Sequence, residues 1–190
     1  MIIAGIDYSM TSPGMTIADT KKPFVFQNVH MFYLTDKTSL AKSFGNVHGF
    51  KYPEWTCPEE RYFKVASQFM EIMKKLGVEQ VMIESYSYGS VGNTLNLAEN
   101  MSVLKLMLWQ AGVRCHTMAP SSVKKKATGN GRADKAEMIK KFYETSGCTK
   151  TINEVIGLKS DKIDAKPIDD LIDAWHLAKA FYDSNLWKTE

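Results

Sequence analysis

Two short apolar runs in this chain each end in a carboxylate. They are Ile2-Ile3-Ala4-Gly5-Ile6-Asp7 and Gln80-Val81-Met82-Ile83-Glu84. Runs of that length, apolar almost throughout, read as strands buried on both faces. Such strands belong to a sheet covered by helices on both sides, and functional groups gather at strand C-terminal ends in sheets of that kind. A single strand-end acid caps a turn or pairs with a basic side chain. Two acids at one end of one sheet repel each other unless a cation sits between them.

The rest of the chain supplies the other layers. Residues 9–14 form a tight connection containing Pro13-Gly14, and 15–18 read as a second strand in a hairpin with the first. Residues 24–34 are a third strand, rich in aromatic and β-branched side chains. Residues 36–58 read as a long irregular insertion. Residues 59–76 are an amphipathic helix with Phe63, Ala66, Met70 and Met73 on one stripe, stopped by Gly77. After Glu84 comes a loop, 85–89, then a helix over 93–110 and a fifth strand over 113–118. Residues 120–131 read as a basic, glycine-bearing turn, 132–146 as a helix, and 147–166 as an extended polar loop. A last helix, 168–186, carries Leu171, Trp175, Ala178 and Tyr182 on one stripe. The order β-β-β-α-β-α-β-α-α predicts an α/β fold: a mixed five-stranded sheet with helices on both faces.

With 190 residues, 44% of them hydrophobic, residues 1–190 are enough for one domain with its own core. Cys57, Cys115 and Cys148 are odd in number and far apart, which argues against a disulfide framework or a zinc site and for a reducing cytosol. No signal-peptide pattern opens the sequence, and no apolar run approaches the ~20 residues of a membrane span. The expected setting is cytoplasmic, in a bacterial cell or an infected host cell.

Charge is unevenly placed. The whole chain carries +3, whereas 124–141 alone carries +5, from Lys124, Lys125, Lys126, Arg132, Lys135, Lys140 and Lys141 against Asp134 and Glu137. A solvated helix face accounts for such a cluster, and so does contact with phosphates. Acids gather in Pro167-Ile168-Asp169-Asp170-Leu171-Ile172-Asp173-Ala174. Asp173 shares a helix face with Asp170, three residues before it, and with Asp169, four before it. The helix dipole accounts for acids in the first turn but less well for Asp173. Carboxylates drawn from distant segments suit hard cations such as Mg²⁺ or Mn²⁺. Two such ions can activate water and steady the leaving oxygen of a phosphodiester. His176, three residues after Asp173, faces the same way and is a further candidate, or else a satisfied core histidine. Tyr86 and Tyr88 follow Glu84 in a glycine-bearing loop and are candidates for stacking on unpaired bases, or for core packing.

Several motifs together resemble the RuvC-type Holliday junction resolvases of the RNase H-like superfamily. Gly5-Ile6-Asp7 with Ser12-Pro13-Gly14 resembles that family's first hairpin, and Ile83-Glu84 a later strand end. Asp170-x-x-Asp173-Ala174 resembles its closing helix. The 13 residues from Val123 to Lys135 resemble its V-K-x-x-x-x-G-x-G-x-A-[DE]-K segment. The resemblance implies an RNase H-like fold, a homodimer, and Mg²⁺-dependent cleavage of branched DNA at four-way junctions, with Mn²⁺ as a substitute and two ions per active site. It implies Asp7, Glu84, Asp170 and Asp173 as metal ligands, and Lys124 and Lys135 as lysines near the scissile phosphate. The concentrated positive charge adds Lys125, Lys126 and Arg132 as candidate DNA contacts. Only the D-x-x-D-A register favours Asp170 over Asp169. The lengths of 36–58 and 147–166 depart from the pattern, as a divergent member, such as a viral one, would. The helix over 93–110 has Leu97, Met101, Leu104 and Leu108 on one stripe, extended by Met107 and Trp109. It reads as core, and the family's dimer uses the matching helix.

Three other readings stand beside this one. The first is an RNase H-like nuclease for flaps, forks or RNA–DNA hybrids. The second is an actin-like phosphotransferase, which shares the opening motif but needs a second domain. The third is a non-catalytic DNA-binding module.

Overall fold

The computed structural model describes residues 1–85, 91–158 and 166–188, with side chains from 95 onward in the second stretch. Its strands are β1 (Ile2–Asp7), β2 (Gly14–Asp19), β3 (Val29–Thr35), β4 (Ser43–Phe44), β5 (Val47–Lys51), β6 (Gln80–Glu84) and β7 (Arg114–Met118). Its helices are α1 (Pro58–Leu76), α2 (Val91–Gln110), α3 (Pro120–Thr128), α4 (Lys135–Ser146), α5 (Ile152–Ile156) and α6 (Ile168–Ser184). The strands form one sheet in the order β4-β5-β3-β2-β1-β6-β7. β1, β2 and β3 make an antiparallel meander, while β1, β6 and β7 run parallel.

The pleat sends alternate residues to opposite faces, and each face has its own core. Ile3, Met31, Tyr33 and Met82 pack against Met138, Ile139 and Phe142 of α4 and Leu171, Trp175, Ala178 and Phe181 of α6. Ala4, Ile6, Met15, Ile17, Phe32, Leu34, Val81 and Ile83 pack against Val65, Ala66, Phe69 and Met73 of α1 and Met101, Leu104 and Leu108 of α2. The expected mixed sheet with helices on both faces is therefore present. On α1 the buried stripe is turned from the expected one: Ala66 and Met73 are buried, but Phe63 is exposed and Val65 and Phe69 are buried.

Four expectations need correction. The sheet has seven strands among the described residues, not five, because the segment read as irregular contains β4 and β5. β5 pairs parallel with β3, and Gly49 within it lies under the Leu40 carbonyl and the Tyr33 ring. That glycine answers a crowded packing site, whereas in sequence it reads as a loop. Residues 120–128 are a helix, not a turn: Pro120 occupies its first turn and Gly129, at φ +85°, ends it. α4 begins at Lys135, where Asp134 and Glu137 form a reciprocal capping box. The same device, Thr151 with Glu154, starts α5 inside the stretch that looked unpatterned. Residues 159–165 of that stretch lie outside the described residues.

Trp175 lies behind the acidic end of α6, edge-on to Phe24 and Phe142 with ring centroids 5.4 and 5.0 Å away. Truncating a buried aromatic of that size removes both transfer energy and packing. Trp175→Ala is expected to destabilise the fold by roughly 3–5 kcal/mol. Urea unfolding checks this, and a loss under 1 kcal/mol would refute the packing assigned to it.

Candidate active site

β1 and β6 place their acids side by side. In their parallel ladder Ile6 is level with Ile83, so Asp7 and Glu84 follow on the next rung at the strand ends. α6 brings the remaining acids by lying very close to β1 and β2. A Cβ on Gly5 would come within 2.2 Å of the Ala178 backbone nitrogen, and one on Gly14 within 2.6 Å of the Asp170 carbonyl oxygen. Gly14 is itself the ladder partner of Asp7. The start of α6 therefore rests on the rung that holds Asp7, and Asp173 follows one turn on. A cavity of about 130 Å³ opens here, lined by Asp7, Ser9, Glu84, Ser85, Leu97 and Met101.

The electrostatics record this crowding. The Asp7 carboxyl is held well above the usual carboxylate range by burial, then by the charges of Asp170, Asp173 and Glu84. Burial and Asp173 push Glu84 up to about 7, with Lys124 opposing. Burial pushes Asp173 up to about 6, against the pull of Lys135. Asp170 is raised by burial, which outweighs its hydrogen bond from Lys166. Asp169 goes the other way: burial raises it, but a hydrogen bond from Lys135 and the charge of Lys166 bring it below its ordinary value.

That contrast separates the two neighbours. Asp169 accepts from the Lys135 ammonium and lies 3.2 Å from that of Lys166. Its second oxygen, Oδ1, is buried without a hydrogen-bond partner. Asp170, not Asp169, is the largest charge acting on Asp7. Among the described residues, no three His, Cys, Asp or Glu side chains are gathered as closely as the ligands of one bound cation. The Lys166 ammonium instead holds Asp169 and Asp170 together.

Of the other candidates, Lys124 sits half-buried on α3 near Glu84, and Lys135 reaches the acids from the start of α4. Lys125, Lys126 and Arg132 are exposed around the end of α3. Tyr86 and Tyr88 lie outside the described residues. For His176 the structure favours the second of the two readings. It is buried with Nε2 donating to the Met138 carbonyl at 2.9 Å, and burial pushes its pKa down to about 4. It is a neutral packing residue that ties α6 to α4. Two residues escaped the sequence reading. Lys166 precedes a proline and stands four residues before Asp170, a spacing that was the available signal. Arg61 donates to the Met10 carbonyl just beyond Asp7 and stacks on Trp55 and Tyr52 at 5.1 and 5.8 Å. Nothing local in the sequence connects it with Met10.

In the fold, Glu84 keeps its proton up to about pH 7, against 4.5 for an ordinary glutamate. The folded state therefore binds more protons than the unfolded state across that window, and stability falls as pH rises through it. Glu84→Gln removes this loss. In chelator the variant is expected to melt above the parent at about pH 8, with the two converging towards about pH 5. Thermal melts across that range check it, and a parent that gains on the variant as pH rises would refute it.

A family model described as "Crossover junction endodeoxyribonuclease RuvC" matches residues 54–156. The protein of that name from Corynebacterium diphtheriae is 36% identical over 93 residues, 49% of this chain and 48% of that one. The one from Anaeromyxobacter is 31% identical over 96 residues, 50% and 47% of the two chains. The chain thus spans about half the length, or less, of the curated relatives it matches. The structure of Thermus thermophilus RuvC in complex with Holliday junction substrate superposes with a TM-score of 0.65 at 18% identity, covering 100% of this chain and 97% of that one. The yeast mitochondrial Holliday junction resolvase Ydc2 gives 0.58 at 12% identity, covering 98% and 80%. These likenesses bear out the RNase H-like fold. Glu84, Lys124 and Lys135 fall inside the matched residues, while Asp7, Asp170 and Asp173 are joined to them only by the fold. On the family match over more than half its length, the chain belongs to the RuvC family.

Proposed function

We propose that residues 1–190 form a single nuclease domain that cuts branched DNA, with four-way junctions as its substrate and a homodimer as its working form. One observation carries the reading: acids from β1, β6 and α6 converge at one end of the sheet, where burial first, and then their mutual repulsion, hold Asp7 well above its ordinary pKa. Membership of the RuvC family supports it, as does a solved relative bound to a Holliday junction.

The donor set fits a hard divalent cation. All its atoms are carboxylate oxygens, and the repulsion among them is what such a cation relieves. Asp7, Glu84, Asp170 and Asp173 would hold Mg²⁺, or Mn²⁺ in its place, at two ions per site. When bound, these ions supply Lewis acidity at the scissile phosphate and lower the pKa of water. Lys124 and Lys135 add positive charge beside the acids, where a phosphate approaches. The exposed Lys125, Lys126 and Arg132 would meet backbone phosphates and make binding salt-sensitive. Tyr86 and Tyr88 are the candidates for stacking on unpaired bases. No helix among the described residues is long and apolar enough to cross a membrane. The cysteines are free, which supports a cytoplasmic setting.

The dimer reading draws on α2. Met101, Leu104 and Leu108 are core, but Leu106 and Trp109 are 54% and 76% exposed on the opposite side. A second copy covering that side fits a junction, because two-fold symmetry in the protein matches two strands to be cut.

Asp7→Asn is expected to lower four-way junction cleavage in Mg²⁺ by at least about 100-fold, since even outer partners of metal ligands cost 10–100-fold. Binding should remain. The assay is a panel of four-way, three-way, flap and RNA–DNA hybrid substrates, with and without Mg²⁺. Full activity of the variant would sink the assignment, and cleavage of flaps or hybrids in preference to junctions would move the substrate. Trp109→Glu is expected to shift the protein to monomer in analytical ultracentrifugation, and an unchanged dimer would place the interface elsewhere.

A further inference from the structure

Beside the acids lies a second polar cavity, of about 170 Å³. Its walls include Ser12 from the β1–β2 connection, Thr35 and Lys37 from the end of β3, Tyr52 just after β5, and Lys166 ahead of α6. All these segments meet at the end of the sheet where Asp7 and Glu84 stand. Lys166 belongs to both places, since its ammonium also pairs with Asp170. The cavity is therefore within one lysine side chain of the proposed reacting centre.

Its chemistry is specific. Ser12 is 4% exposed, and its Oγ has no hydrogen-bond partner. A buried hydroxyl left unpaired is costly, so such groups mark places where a ligand or water completes the set. Two lysines and hydroxyl groups offer donors that match phosphate oxygens. The volume argues against anything larger. Sites for drug-sized ligands run from roughly 300 to 1,000 Å³. About 170 Å³ is the room of five or six waters at roughly 30 Å³ each, enough for a tetrahedral anion but not a nucleoside. Asp36 also lines the cavity. Its charge offsets that of Lys37, and Lys166 is already paired with Asp169 and Asp170, so little net positive charge remains, which favours a singly charged phosphodiester over a free phosphate dianion.

We propose that this cavity holds a backbone phosphate of the same DNA strand that the acids cut, a neighbour of the scissile one. The proposal rests on the nuclease reading above and adds to it a contact that sets the strand's register. It also gives residues 36–58 a task. Tyr52 is seated by a bond from its N–H to the Thr35 carbonyl at 3.2 Å, so β5 supplies the outer wall of the pocket.

The test measures four-way junction binding in chelator at several salt concentrations. Lys37→Ala, at an exposed position, is expected to reduce the slope of log affinity against log salt by about one, the signature of one lost phosphate contact. Ser12→Ala is expected to weaken binding roughly tenfold without changing that slope, because the hydroxyl is neutral. Junctions carrying a single methylphosphonate near the cut should reveal one position where the parent loses affinity and Lys37→Ala loses nothing further. Titration with inorganic phosphate should leave both variants and parent alike, and saturable phosphate binding that displaces no DNA would overturn the proposal. So would parent affinity and parent slope in both variants. If the parent binds no branched DNA at low salt, the nuclease reading fails and the proposal falls with it. If the parent binds and the variants are unchanged, only the proposal falls.

Discussion

Helix α6 can reach the acid end of the sheet only because positions 5 and 14 carry no side chain. With a methyl group at either, the helix backbone would have to retreat, and Asp170 and Asp173 would withdraw from Asp7. The two glycines thus act on electrostatics through sterics. They set how far four negative charges are pressed together, while the Trp175 and Phe142 contacts beneath hold the helix in place.

The pressed charges are costly, and the fold answers with ammonium groups. Lys135 takes Asp169, Lys166 spans Asp169 and Asp170, and Lys124 leans on Glu84. Asp7 is left buried and facing Asp170, Asp173 and Glu84, which hold its proton affinity well above the ordinary. That division commits Asp169 to ion pairs with Lys135 and Lys166 and leaves the other four to share a common field. Burial at this end of the sheet strengthens both attractions and repulsions, so small shifts of α6 change the balance strongly.

Legibility in the sequence followed the range of the interactions. β1, β6 and α6 were legible because apolar periodicity and a terminal acid are local patterns. The seven-stranded extent of the sheet was not, since Gly49 looks like loop punctuation until Leu40 and Tyr33 are seen above it. α3 was missed because Gly129 and Gly131 outweighed Pro120 and three consecutive lysines, which are good helix formers. Asp170 could not be told from Asp169 by helix geometry alone, as both share a face with Asp173. In the fold Lys135, 34 residues from Asp169, pairs with that acid and not with Asp170. His176 shared that face in sequence, yet its ring is committed to the Met138 carbonyl.

The acids stand at positions 7, 84, 170 and 173, and β1 pairs with β6 across more than 70 intervening residues. Contacts of that separation form late, because loop-closure entropy is lost before they return any stabilisation. The acid cluster is consequently a readout of completed folding. Partly folded chains hold the basic segment and single acids but not the assembled set, so, on the proposed function, affinity for nucleic acid can precede any capacity to cut it.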